Sequence, residues 1–149
     1  LEIHPFSIPH DTLDPVAFTI CTKGIKAGFC TDLGHVTSLV KKQLAFCDYL
    51  YLEANHQISM VHSSARPSIY KQRVLGKQGH LSNEACAELL ASVFHPGLKH
   101  VHLAHLSEEC NTPELALEIV KKNLLEQGIT VPLHVAHQEK KSFEINFCF

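Results

Sequence analysis

HVHLAHLSEECNTPELAL, residues 100–117, runs from a short buried strand through a polar loop into a helix. Val101 and Leu103 are the apolar residues of the strand. Thr112, Pro113 and Glu114 give the helix a cap, a proline at its first position and an acid in its first turn. His105 and Ser107 fall where the strand ends, and in an α/β sheet the carboxyl ends of strands are where ligands bind. A lone histidine in such a place is more often a hydrogen-bonded core residue. Here the arrangement recurs along the chain.

Upstream, residues 2–8 alternate like a strand, and an apolar run from Val16 to Cys21 follows the polar loop of His10, Asp11, Asp14 and Pro15. Lys23-Gly24 is a hairpin signal leading into residues 25–31, so these strands are expected to pair antiparallel. The third strand ends in Thr31, Asp32, Leu33, Gly34 and His35. Carboxylate, glycine and histidine at a strand end suit a metal or phosphate site. The same letters also read as a helix N-cap by Asp32 or Thr31, a contribution of about 1 kcal/mol, and spacing alone leaves both readings open.

Val36, Leu39, Val40 and Leu44 then recur at helical spacing, and Tyr49 to Leu52 form a compact apolar strand that delivers Glu53, Ala54, Asn55 and His56 at its end. Residues 60–79 are mixed, with Tyr70, Val74 and Leu75 expected in a helical core and Lys71, Arg73 and Lys77 on a basic face of the kind that is usually solvated surface. Gly79 to Asn83 form a loop ending in a helix cap, with Glu84 in the first turn. An amphipathic helix follows and stops at His95-Pro96-Gly97. Beyond the central stretch, the helix from Pro113 is expected to run to about Glu126, closed by Gly128. Residues 131–135 and 143–147 are expected as a last pair of strands. The whole reads as an α/β chain whose strand ends present His10, Asp32, Glu53 to His56 and His105, with His80 on a loop. Core histidines have no reason to gather at one edge of a sheet, and histidine with carboxylate suits zinc or manganese.

Composition narrows the function classes. The 149 residues suit one domain. An apolar content of 45% with 19% charged residues is that of a globular chain. The formal net charge is -2, so attraction to nucleic acid must come from local patches or from parts outside this sequence. Twelve histidines favour a metal or acid–base site. The six cysteines, at 21, 30, 47, 86, 110 and 148, include no CxxC pair and no zinc-finger spacing. Without a secretory signal, reduced thiols in a cytoplasmic protein are expected. No apolar run approaches the ~20 residues that span a bilayer.

The runs His10-Asp11 to Val16, Thr31 to Val36, Leu52 to His56, Lys71-Gln72-Arg73 with Gly79 to Asn83, and Leu103 to Ser107 with Asn111 to Glu114 together resemble the metallo-β-lactamase superfamily, in family order. The resemblance is closest to the YycJ/WalJ branch of DNA exonuclease-like hydrolases. It implies the C-terminal half of an αββα sandwich, a mixed sheet with helices on one face, as a single domain over residues 1–149. By resemblance His10, Asp32 and His105 are metal ligands, Asp32 being the carboxylate shared between two divalent ions. Two cations about 3.5–4 Å apart activate water at neutral pH and stabilise both attacking and leaving oxygens. Glu53 and His80 resemble the glutamate–histidine pair of related tRNA-processing nucleases, which makes His80 the candidate general acid. Asn55, His56, Lys71, Arg73 and Ser107 are candidate substrate contacts, and Ser82 and Asn83 are candidates for binding phosphate at a helix N-terminus.

Two departures stand out. The superfamily's HxHxDH motif, which belongs to the N-terminal half, does not occur in these 149 residues. Gln57 also stands where the branch commonly has aspartate, and residues 65–70 replace a Tyr-Pro stretch. The expected function is therefore phosphodiester hydrolysis, of DNA above all, with weak metal binding and little catalysis from this chain alone. The expected partners are the missing N-terminal half, or a second copy covering the open sheet face, and a nucleic acid substrate; no membrane is expected. Hydrolysis of a small cyclic phosphodiester or a thioester, and a non-catalytic assembly module, are the competing expectations.

Overall fold

Lys23 and Gly24 both adopt positive φ, 47° and 80°, the turn geometry that joins two twisted strands through two residues. In the computed structural model, which describes residues 1–146, they link β2 (Val16–Thr22) to β3 (Ile25–Cys30). β1 (Glu2–Ser7) pairs antiparallel with β2 on its other side. β4 (Tyr49–Glu53), β5 (His100–Ala104) and β6 (Leu133–Val135) then add in parallel, giving a six-stranded mixed sheet in the order β1 to β6. Two antiparallel steps turn β1 into the same direction as β3. The carboxyl ends of β1, β3, β4 and β5 therefore lie along one edge.

One face of the sheet carries Phe6, Ala17, Leu50, Leu52, Val101 and Leu103, all buried. Their cover is α1 (Ser38–Leu44), α4 (Asn83–Val93) and α5 (Pro113–Glu126), which contribute Val40, Leu44, Leu89, Leu90, Val120 and Leu124 to the same core. On the opposite face Val16, Phe18, Phe29, Tyr49 and Tyr51 stay half-buried or exposed, while His102 is buried. Two short helices, α2 (Ile58–Ser63) and α3 (Ser68–Leu75), form a satellite around Val61, Val74 and Cys110. Among the described residues no helix is long and apolar enough to cross a membrane.

The helix starts follow their caps. Thr112 and Ser82 accept backbone bonds from Leu115 and Ala85, and Gly128 takes the positive φ, 71°, that follows the end of α5. Two expectations need correction. The cap of α1 is Thr37, whose hydroxyl accepts from the Val40 amide, so neither Thr31 nor Asp32 does that work. The final strand pair does not form: β6 covers only Leu133–Val135 and lies parallel to β5, while residues 143–146 take no strand conformation. Instead Phe143 stacks on His134 with ring centroids 4.2 Å apart. Phe147, the end of that expected strand, lies outside the described residues.

Candidate metal centre

The shared strand direction brings His10, Asp32, Glu53 and His105 to one edge, and the loop before α4 adds His80. Asp32, two residues past the end of β3, and His105, directly after β5, have φ of 59° and 54°. Residues other than glycine seldom hold that left-handed conformation, which costs on the order of 1 kcal/mol or more and clusters at functional sites. Each ends its strand abruptly, at the edge where the site lies.

Glu53 is the hub. Its side chain is 0% exposed, yet every lone-pair direction has a donor. Oε1 accepts from His80 Nδ1 and from His105 Nδ1, both at 2.7 Å, and Oε2 accepts from the backbone amides of Leu33 at 2.7 Å and Leu81 at 3.2 Å. Burial pushes the Glu53 pKa up, but the hydrogen bonds from His105 and His80 outweigh it and hold the group below the ordinary glutamate value. For His105 the hydrogen bond to Glu53 acts first, and its pKa is raised. With Nδ1–H donated to Glu53, each imidazole keeps Nε2 as its free nitrogen.

His10 is oriented the same way. Its Nδ1–H donates to the Gly79 carbonyl at 3.0 Å, which leaves Nε2 3.5 Å from Asp32 Oδ1. Asp32 Oδ1 is also 3.7 Å from His105 Nδ1 and 3.9 Å from His80 Nδ1. One ligand atom each from Asp32, Glu53, His80 and His105 lies within 4.8 Å of the others. The donor set is imidazole nitrogen and carboxylate oxygen; His10 is held through Nδ1 by the Gly79 carbonyl and turns Nε2 to Asp32, while His80 and His105 turn Nδ1 toward both Glu53 and Asp32. That is how proteins hold divalent zinc or manganese, so the residues present fit such an ion.

The other expected site residues divide into two groups. Lys71, Arg73 and Ser107 lie at or near the surface. Lys71 Nζ donates to the His62 carbonyl at 2.7 Å, and Arg73 pairs through Nε and Nη2 with the two carboxylate oxygens of Asp11. Ser107 Oγ accepts from the Cys110 amide at 3.1 Å. Asn55, His56, Ser82 and Asn83 are buried. Asn55 donates to the His105 carbonyl at 2.8 Å, holding the turn that carries His105. Ser82 caps α4 with the hydroxyl expected to meet phosphate. Asn83, 0% exposed, exchanges side-chain bonds with Asn111 at 2.9 and 3.1 Å. His56 is 1% exposed, its Nδ1 has no partner, and burial pushes its pKa down to about 4.

Sequence reasoning missed Asn111 and the role of Asp11. Asn111 donates to the Ala54 and Asn55 carbonyls and accepts from the Thr112 amide, tying the end of β4 to the start of α5. Its place two residues before a Pro-Glu helix start was the available signal. Asp11 follows His10 directly and approaches His10 Nε2 at 3.5 Å. A carboxylate beside a candidate ligand was legible, but its arginine partner, 62 positions away, was not.

No protein-family model matches the chain. The exodeoxyribonuclease YycJ of Bacillus anthracis is 32% identical over 131 residues, which is 88% of this chain and 50% of the relative. The exodeoxyribonuclease WalJ of Streptococcus pneumoniae serotype 2 is 32% identical over 116 residues, 78% of this chain and 43% of the relative. Among solved structures, the metallo-β-lactamase fold protein YhfI from Bacillus subtilis superposes with a TM-score of 0.65 at 13% identity, over 95% of this chain and 49% of that one. Zn(2+)-bound PqqB from Methylobacterium extorquens does so with 0.57 at 16% identity, over 96% and 50%. The six-stranded mixed sheet and its helical cover are thus about half of a metallo-β-lactamase fold. In sequence the chain is similar to the exodeoxyribonucleases YycJ and WalJ over most of its own length. It spans about half the length of the curated relatives it matches.

Proposed function

We propose that this chain is the C-terminal half of a metal-dependent phosphodiester hydrolase acting on DNA as an exonuclease. The observation that carries the reading is the convergence of His10, Asp32, His80 and His105 around one buried, fully hydrogen-bonded glutamate at the edge where four strands end. His10, Asp32 and His105 would hold zinc or manganese ions, with the remaining ligands supplied by an HxHxDH-bearing half. When bound, such ions activate water and offset the negative charge that builds on a phosphodiester during attack.

The chain's own residues do the rest. Glu53 fixes the tautomer and ring direction of His80 and His105 at once through Oε1. His80, partly exposed while its Nδ1 is anchored, keeps Nε2 to deliver a proton to the leaving oxygen. Asn55 and Asn111 hold the loop behind His105, and basic side chains on and after α3 position backbone phosphates. A cytoplasmic setting accords with free thiols at Cys21, Cys30, Cys47, Cys86 and Cys110.

The test joins this chain to an HxHxDH-bearing half of the same branch and assays hydrolysis of single-stranded DNA with manganese or zinc. The joined protein is expected to digest DNA, and His80→Ala to lower kcat by about 10²–10⁴-fold without weakening substrate binding. The chain by itself is expected to show little or no turnover. Robust digestion by the 149 residues alone, or an unaltered kcat in the His80 variant, would overturn the reading.

A further inference from the structure

Beside the metal centre, α3 and the loop after it wall a hollow of about 400 Å³ lined by Asp11, Gln72, Arg73, Gly76, Lys77 and Gln78. That volume lies within the ~300–1,000 Å³ common for small-ligand sites, but the lining lacks the apolar side chains such sites usually have. Its one anion, Asp11, is matched by Arg73 on both carboxylate oxygens. What remains is the Lys77 ammonium, the unused guanidinium N–H groups of Arg73, and the amides of Gln72 and Gln78. Gln72, Arg73, Lys77 and Gln78 are all exposed. A hollow rich in donors with one uncompensated positive charge suits an anion that presents several oxygens.

Its position is fixed relative to the centre. The wall's backbone is bonded to both neighbouring strand ends: the His35 ring donates to the Lys77 carbonyl at 2.8 Å, and the His10 ring to the Gly79 carbonyl at 3.0 Å. Gly34 lies so close that a Cβ there would stand 2.3 Å from the Lys77 carbonyl oxygen. Asp11 belongs to the hollow and approaches His10 Nε2 at 3.5 Å, so the hollow begins one side chain from the candidate ligand.

We infer that this hollow is a subsite for the backbone phosphate next to the one that is hydrolysed, with Lys77 its principal cation and Arg73 held in place by Asp11. The inference rests on the phosphodiesterase reading above and narrows its substrate to a polymer. A compact cyclic phosphodiester has no second phosphate along a chain to place here. The contact reads no base, so it adds affinity evenly across sequences.

The experiment is fluorescence anisotropy of a labelled hexathymidylate with the 149-residue chain, in EDTA so that binding is read without metal or turnover, over a range of potassium chloride. The unaltered chain is expected to bind with affinity that falls with salt. Lys77→Gln should weaken binding about threefold at low salt and flatten the logarithmic salt slope by ~0.7, the effect of one fewer phosphate contact on a single strand. Lys77→Arg should restore the slope, and Lys121→Gln, on α5, should leave it unchanged. Circular dichroism on each variant confirms that the fold is kept. Binding whose salt slope is the same in Lys77→Gln overturns the subsite and leaves the nuclease reading standing. No binding by the unaltered chain also overturns the subsite, and the assay of the joined protein then decides the nuclease reading.

Discussion

His56 shows what burial does to a residue whose letter suggests chemistry. It lies in the Glu53-to-His56 run, where a strand end delivers polar groups, and it is more deeply buried than any other histidine described. Desolvation, opposed by the field of Glu53, lowers its pKa from 6.5 to about 4. In the unfolded chain this imidazole takes a proton near pH 6.5; in the folded chain it does not until about pH 4. Between those values the unfolded state binds more protons, so stability falls as pH falls and levels off below 4. At about 1.4 kcal/mol per pH unit, the loss is on the order of 3 kcal/mol. Denaturant unfolding of the unaltered chain and of His56→Gln between pH 7 and 4 should differ by about that amount, with the variant flatter; parallel curves would show that His56 does not titrate as described. The candidate ligands were legible because their residue types recur at strand ends. Which strand-end residues face outward was not, because that depends on a turn: Asp32 and His105 emerge through positive φ, while Asn55 and His56 run back under α4.

At the scale of elements, the hairpin at Lys23-Gly24 and the starts of α4 and α5 were legible because each has a local chemical cause, a two-residue turn or a cap. α2 was not. It is six residues long, and its N-cap, Gln57, makes no side-chain bond to the helix, donating to Glu84 and accepting from Asn83 instead. The association of the Asp32 loop with the turn after α3 was equally hidden, since residues far apart in sequence meet only in the fold. Gly34 makes that meeting possible. A Cβ at this position would lie 2.3 Å from the Lys77 carbonyl oxygen and 2.6 Å from Gln78 Cα, and backbone cannot swing aside as a side-chain tip can. Gly34→Ala should therefore force the loops apart and cost roughly 1–3 kcal/mol, the range for overpacking. A shift of the denaturation midpoint measures this, and loss of the His35-to-Lys77 bond should appear as a changed His35 ring resonance. A midpoint equal to that of the unaltered chain would mean that the two loops are not in contact.

For the molecule as a whole, the decisive feature is the uncovered sheet face. Register lines up Pro5, Phe18, Phe29, Tyr51, His102 and His134 across all six strands. Phe18 is 39% exposed and Val16 40%. The sequence carried this only as an inference from resemblance, because alternation in a strand separates two faces without saying what covers each. A broad apolar and aromatic face open to water draws a cover, and the proposed cover is the other half of the sandwich or a second copy. The 149-residue chain should therefore associate with itself as its concentration rises in sedimentation runs, and Phe18→Glu, which sets a charge in the middle of the row, should shift it to monomer with unchanged circular dichroism. The histidines add a sign to this. Burial, then the fields of His134 and His100, lower the pKa of His102; burial and His100 lower that of His134. His102 packs between Tyr49 and Tyr51 on one side and His134 on the other, so a proton taken up there is placed among aromatic rings and beside other imidazoles. Covering the face removes more water from the half-buried His134 ring and favours its neutral form further, so association should weaken as pH drops below 6.5, the ordinary histidine value. A monomer at every concentration, or association that strengthens on acidification, would show that this face is not the one that seeks a cover.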